Sequence, residues 1–201
     1  MKKQSQPRIW TTITYDRMSR YYDTFMRILF PVGDKVREQI AEKLVFGSIL
    51  DVACGTGTLL EMAENKGMSC FGIDLSEGML TQTRIKVQKA QLVRASYYEL
   101  PFSAESFEVV VATNALSGVF IDAKKVLSEM IRVCRKDGRI YLGEWQKAAE
   151  DTFSIRLTVW LASLNDDAPK DYLKIFNELG YEPDFEKLSD QMFIFSIRKK
   201  S

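Results

Sequence analysis

The residues with chemical potential concentrate in one short run, Asp51-Val52-Ala53-Cys54-Gly55-Thr56-Gly57-Thr58, and in one acid beyond it, Asp74. Gly55 and Gly57 let the backbone come close to a ligand, and a helix starting at Thr58 offers unpaired N–H groups to an anionic or polar group. Asp74 follows Gly57 by seventeen positions, near the interval at which an acid meets ribose hydroxyls in dinucleotide folds. An ionised carboxylate makes charge-assisted hydrogen bonds to vicinal hydroxyls. Taken alone, the glycines also suit a tight strand-to-helix turn, and Asp74 suits an acid beside a helix start at Ser76. Leu60 stands where a pyrophosphate-bridged dinucleotide fold places glycine or alanine, which makes a nicotinamide oxidoreductase the weaker alternative.

Other chemistries lose support from what the chain lacks. It has no histidine among its 201 residues, which removes imidazole metal sites, histidine-activated nucleophiles and the usual neutral-pH base. No metal is expected. Lys plus Arg number 28 against 27 Asp plus Glu, so no global field favours nucleic acid. Cys54, Cys70 and Cys134 form no close pair and fit reduced thiols. The N-terminus has no apolar run of signal-peptide length, and no segment is long enough to span a bilayer, so a cytoplasmic protein is expected.

Strand ends must position these residues. Ser48 to Val52 reads as a strand, Thr58 to Asn65 as a helix stopped near Gly67, and Ser69 to Ile73 as a second strand. Ser76 caps a helix running to about Lys89, followed by short strand Gln91 to Ala95 and by Phe107 to Ala112, whose β-branched residues suit a strand covered on both faces. A helix from Ala123 to Arg135 and the turn Asp137-Gly138 lead into a strand from Arg139 to Glu144. Phe153, Leu157, Trp160 and Leu164 give helical periodicity over Glu150 to Leu164. Tyr172 to Leu179 is a further helix, and Asp184 to Leu188 with Gln191 to Arg198 forms a hairpin.

Ahead of all this, Tyr15, Met18, Tyr22, Phe25 and Leu29 make one helical stripe ended by Phe30-Pro31, and Asp34 caps a second helix burying Val36, Ile40 and Leu44. The expected fold class is α/β: a doubly wound, mostly parallel seven-stranded sheet with an antiparallel C-terminal strand and N-terminal helices as a lid. A single domain is expected over residues 1–201, with the lid segment at 1–46 and the core at 47–201.

At this point the sequence resembles the class I (Rossmann-like) S-adenosylmethionine-dependent methyltransferases, especially the small quinone-biosynthesis and phospholipid methyltransferases. The resemblance rests on Ile49 to Gly57, on Gly72-Ile73-Asp74-Leu75-Ser76-Glu77-Gly78-Met79-Leu80, and on Leu100-Pro101-Phe102 followed by Ser106 to Val110, and covers roughly residues 45 to 145. It implies S-adenosyl-L-methionine as cofactor, its methionine moiety along Asp51, Ala53, Cys54, Gly55 and Gly57, its ribose on Asp74, and its adenine flanked by Leu75 and Met79. Ser96 stands where the family often has an acid for the adenine amino group, with Tyr97 beside it. Asn114 lies where contacts to the cofactor's charged end are made. Lys136-Asp137-Gly138-Arg139 departs from the family's usual lysine-proline-glycine-glycine turn.

Methyl transfer from a sulfonium is an in-line displacement in which positioning supplies much of the catalysis, so the missing histidine matters little. If the acceptor must lose a proton, Glu144 at a strand end and Tyr22 on the first helix are the candidates. The acceptor is a small or lipid-like molecule, with carbon, nitrogen and oxygen all open. Eight Lys and Arg against three Asp through Arg37, interleaved with aromatics, fit either a helix packed on the domain or a membrane-surface contact. A cofactor-binding module without turnover is the alternative from another class.

Overall fold

A computed structural model of the chain describes residues 9–29, 32–45, 47–118, 120–146, 169–189 and 192–200. The helix expected over Glu150 to Leu164 lies outside the described residues.

Seven strands form one sheet: β1 (Ser48–Val52), β2 (Ser69–Asp74), β3 (Gln91–Arg94), β4 (Phe107–Thr113), β5 (Cys134–Trp145), β6 (Asp184–Lys187) and β7 (Met192–Arg198), in the order β3-β2-β1-β4-β5-β7-β6. β1 to β5 pair in parallel, β7 runs antiparallel to β5, and β6 antiparallel to β7. The helices are α1 (Ile9–Leu29), α2 (Val32–Lys43), α3 (Thr58–Asn65), α4 (Glu77–Lys86), α5 (Ala123–Val133) and α6 (Tyr172–Glu178).

Strand alternation divides the apolar residues between two cores. Leu50, Val52, Val110, Ala112, Ile140 and Leu142 face α5 and α6, meeting Val126, Leu127, Met130 and Phe176. Their sequence neighbours Ile49, Val111 and Tyr141 face the other way, toward Val36 and Ile40 of α2 and Leu59, Leu60 and Ala63 of α3. A period of two on strands clad on both sides is what a parallel sheet requires. Each fully buried Leu or Ile contributes roughly 1.5–3 kcal/mol.

Several boundaries differ from the sequence expectation. α1 starts at Ile9, ahead of its apolar stripe, and α2 starts at Val32, so Asp34 is not a cap but lies inside the first turn, paired with Arg37 at 2.7 Å and Arg27 at 3.3 Å. α4 ends at Lys86, where Val87 leaves the helical conformation (φ −123°, ψ 88°) and buries its side chain. α5 ends at Val133, and β5 begins at Cys134, which pairs with Phe107; the chain then bulges through Asp137, whose φ is 60°, before regular pairing resumes at Arg139.

Candidate functional site

β1 lies between β2 and β4, the point at which the chain reverses its direction of travel across the sheet. In open α/β sheets the crevice beyond the strand ends at this point holds ligands. The residue following β1, Ala53, has φ 60°, and the one following β4, Asn114, has φ 51°. Non-glycine residues hold positive φ at a cost, and such strain clusters at ligand sites.

The two glycines play different parts. At Gly55, φ is 57° and a Cβ would meet nothing within 4 Å, so this loop faces open space. At Gly57, φ is 78° and a Cβ would fall 2.4 Å from Cγ2 of Thr83, so its missing side chain also lets α4 pack against the loop. Thr83 also donates its hydroxyl to the carbonyl of Gly55 at 2.8 Å. Close contact between α3 and β2 is made from the strand: a Cβ on Gly72 would lie 2.8 Å from Leu60 and 3.0 Å from Sγ of Cys54. Leu60 is therefore accommodated by a glycine opposite it. The Cys54 side chain is buried, and burial pushes its thiol well above the usual range, so only its backbone can serve a ligand.

Asp74 organises both loops. Its Oδ2 accepts from the Gly55 N–H at 3.0 Å and its Oδ1 from the Ser76 N–H at 2.8 Å. A carboxylate has about four acceptor sites, so capacity for ribose hydroxyls remains. Burial raises its pKa against these backbone donors. Ser76 itself caps α4, accepting from the Met79 N–H at 3.1 Å. Met79 is buried and Leu75 half-buried. Ser96 accepts from the Tyr98 N–H at 3.2 Å, and Tyr97 meets Tyr98 edge-on with centroids 4.8 Å apart.

Asp51 is 2 % exposed, and its Oδ1 has no hydrogen-bond partner. Burial raises its pKa to about 7, opposed by Arg37 and helped by Asp74. A buried acceptor without a donor is costly unless something supplies one, and an ammonium group would. The unfolded chain ionises Asp51 near 3.9; the folded chain holds the proton until about 7. Between these values stability falls as pH rises, because the folded state binds the extra proton. A cation arriving at Oδ1 favours ionisation, so cofactor binding at about pH 6 is expected to release close to one proton. Calorimetry in buffers of different ionisation enthalpy checks this; Asp51→Asn should abolish the release, and proton uptake by the wild type would contradict it.

The two catalytic candidates have other occupations. Tyr22 is half-buried edge-on against Tyr15 at 5.9 Å. Burial first, then Tyr15, push its pKa above the usual tyrosine value, so it stays protonated and can donate but not abstract a proton. Glu144 is fully buried, and its Oε1 accepts from the N–H groups of Ala115 and Leu116, the latter at 2.7 Å. It shapes the loop after β4, which Asn114 also ties down by donating its N–H to the Gly143 carbonyl at 2.9 Å.

Residues that the sequence reading missed lie on α1. Asp16 accepts from the Ser76 hydroxyl and from the Gly78 N–H at 2.9 Å; Asp23 accepts from the Thr56 hydroxyl at 2.6 Å and from Lys86. The two acids are seven apart on one helical face, which was the available signal. Tyr22 and Tyr97 both feel Asp74 and Tyr15 electrostatically, which puts all four near one another. α1 thus lies across the glycine-rich loop and the start of α4. Among the described residues no group of His, Cys, Asp and Glu could hold a metal ion.

With this geometry in place, comparison with known proteins shows what the chain resembles. Residues 50–142 match the methyltransferase domain family. Over that span the chain is similar to the S-adenosylmethionine-dependent methyltransferases. It is similar to the demethylmenaquinone methyltransferase of Thermotoga maritima, 24 % identical over 87 % of this chain and 89 % of that protein. It is also similar to the phosphatidylethanolamine N-methyltransferase of Cereibacter sphaeroides, 36 % identical over 48 % of this chain and 49 % of that protein. The ubiquinone/menaquinone biosynthesis C-methyltransferase UbiE of Campylobacter jejuni is 30 % identical over 52 % and 47 %. The chain spans about half the length of the last two. In fold it is similar to an S-adenosylmethionine-dependent methyltransferase of Thermotoga maritima (TM-score 0.72, 15 % identity, 92 % and 98 % covered) and to DhpI in its SAH complex (TM-score 0.72, 11 % identity, 94 % and 95 % covered). The methyltransferase expectation and its cofactor are borne out, and the nicotinamide alternative finds no support. The residues fit that cofactor: an orphaned acid at Asp51, open space at Gly55 and spare acceptor sites at Asp74.

Proposed function

We propose that this methyltransferase acts on a lipid-like acceptor, of the quinone or amino-headgroup type, reached from a membrane surface. The observation that carries this reading is the division of α1 into two faces. Its two acids turn inward onto Ser76, Gly78, Thr56 and Lys86. Its outward face exposes Ile13, Phe25, Tyr21 at 72 % and Ile28 at 74 %, together with the exposed Arg17, Arg20 and Arg27. Apolar and aromatic groups flanked by cations suit the interface of an anionic bilayer. Among the described residues no helix is long and apolar enough to cross a membrane. The names of the Thermotoga and Cereibacter relatives, whose acceptors are a quinone and a phospholipid, support the same class.

When bound, S-adenosylmethionine supplies a methyl group on a sulfonium with its leaving group built in. Asp74 and the Gly55 backbone hold the donor, Glu144 sets the loop on the opposite side of β1, and α1 closes the crevice against water. Proton removal, where the acceptor needs it, falls to the acceptor's own acidity, since Tyr22 stays protonated and Glu144 is engaged. We assign α1 the part of a lid. Asp16→Asn with Asp23→Asn is expected to speed hydrogen exchange across Tyr15 to Leu29 and to raise the cofactor dissociation rate about tenfold, the effect of losing roughly 1.4 kcal/mol of charge-assisted bonding; unchanged exchange and rate would make α1 static packing. The acceptor class is tested by incubating the chain and labelled S-adenosylmethionine with a total lipid extract and, separately, with the water-soluble metabolite fraction. Label in the organic phase is expected, and label confined to water-soluble product would overturn the proposal.

A further inference from the structure

The strongest unexplained feature at the site is a cation outside every motif of the sequence reading. Arg37, on α2, donates from Nη2 to Asp34 at 2.7 Å, yet its Nε is buried with no partner. Its side chain is 21 % exposed. Gly33, a buried residue one turn earlier, marks where it points: a Cβ there would lie 3.3 Å from Asn114 Nδ2 and 3.7 and 3.9 Å from Arg37 Nη2 and Nη1. Two sets of donors, one from α2 and one from the loop after β4, therefore meet over a residue with no side chain. Across β1 from that loop, Asp51 Oδ1 is the matching orphan, an acceptor without a donor. An unpaired donor costs about as much as an unpaired acceptor, and a fold that keeps one of each in the same crevice is set for a ligand carrying both charges.

We infer that Arg37 is a cofactor-binding and specificity residue, its guanidinium, with the Asn114 amide, receiving the α-carboxylate of S-adenosylmethionine while Asp51 receives the α-ammonium. The inference rests on the family's cofactor and adds the residue that reads its zwitterionic end. Asp34 acts as a positioning residue that holds the guanidinium by one nitrogen and leaves Nε free. Asp51 feels Arg37 as a neighbouring charge that opposes the rise burial imposes on it, so the two belong to one electrostatic unit. A Cβ at Gly33 would press on the Asn114 amide at 3.3 Å and touch the Arg37 guanidinium at ordinary contact distance, so the glycine leaves the space beside both donors open.

The consequence is selectivity by the end of the cofactor furthest from the ribose. A pocket with Arg37 distinguishes S-adenosylhomocysteine from its α-carboxamide, in which the charge is removed and the shape kept. A cycle combining this ligand change with Arg37→Met isolates the contact, since two changes that remove the same interaction do not add. The measurements are calorimetric affinities of wild type and Arg37→Met for S-adenosylhomocysteine, its carboxamide and 5′-methylthioadenosine, which lacks the amino-acid end. The expected results are a loss of about 30-fold for the carboxamide on wild type, a similar loss for S-adenosylhomocysteine on Arg37→Met, little further loss when both changes are combined, and an unchanged affinity for 5′-methylthioadenosine. Equal losses for all three ligands in Arg37→Met would overturn the assignment, because the residue would then only support the fold. Additive losses would place the carboxylate on another group. If Arg37→Met does not fold, wild type alone remains decisive: no preference for the acid over the carboxamide rules out a cation at that end. A wild type that binds none of the three ligands would instead remove the cofactor reading itself.

Discussion

Replacing Glu144 with alanine is expected to destabilise the chain by roughly 2–5 kcal/mol. The substitution leaves the N–H groups of Ala115 and Leu116 without the carboxylate oxygen that both use, and each buried unsatisfied donor costs about 1–3 kcal/mol. Leu116 is itself fully buried, so water has no easy route to replace the acceptor. Denaturant unfolding measures the loss directly. Glu144→Gln discriminates between shaping and chemistry. An amide oxygen can still accept from both N–H groups, so this variant should keep most of the stability and turnover. If Glu144 were a general base, the glutamine variant would instead fold normally and lose turnover by the 100-fold or more that general bases contribute.

Asp74→Ala is expected to weaken S-adenosylhomocysteine binding by roughly 1.5–3 kcal/mol, about 10- to 150-fold, the scale of hydrogen bonds to a charged group. Two effects combine. The ribose loses its acceptor, and the Gly55 and Ser76 N–H groups lose the carboxylate that sets the two loops against each other. The thermal midpoint of the free protein should therefore fall as well. Unchanged affinity in a folded variant would reduce Asp74 to an acid at a helix start.

The sheet was largely readable from sequence because its strands carry their own evidence. Ile49 and Leu50 in β1 and Val110 and Val111 in β4 are fully buried on alternate faces, and a buried parallel strand announces itself as an apolar run. Boundaries set by tertiary contact were not readable. Val87 stops α4 by turning into the core, and Cys134 joins β5 early because Phe107 pairs with it; neither residue looks unlike its neighbours in the sequence.

The site divides in the same way. Motif residues such as Asp51, Gly55 and Asp74 converge because the strands that carry them are adjacent. The packing part of Gly57 is not legible in the sequence because Thr83, which fills the space beside it, lies on a different helix. Asp16 and Asp23 sit in a segment read by its aromatic stripe and Arg37 in a helix read by its apolar face, and a charge on a helix shows its partner only once the helix is docked.

The measurement that bears most directly on the central claim is hydrogen exchange of the full chain with and without S-adenosylhomocysteine, read by segment. Protection is expected over Asp51 to Thr58, over Asp74 to Met79, at Asn114 to Leu116 and along α1, with β6 and the start of β5 unchanged. Protection confined to surfaces away from the ends of β1, β2 and β4, or no protection at any ligand concentration, would contradict the account.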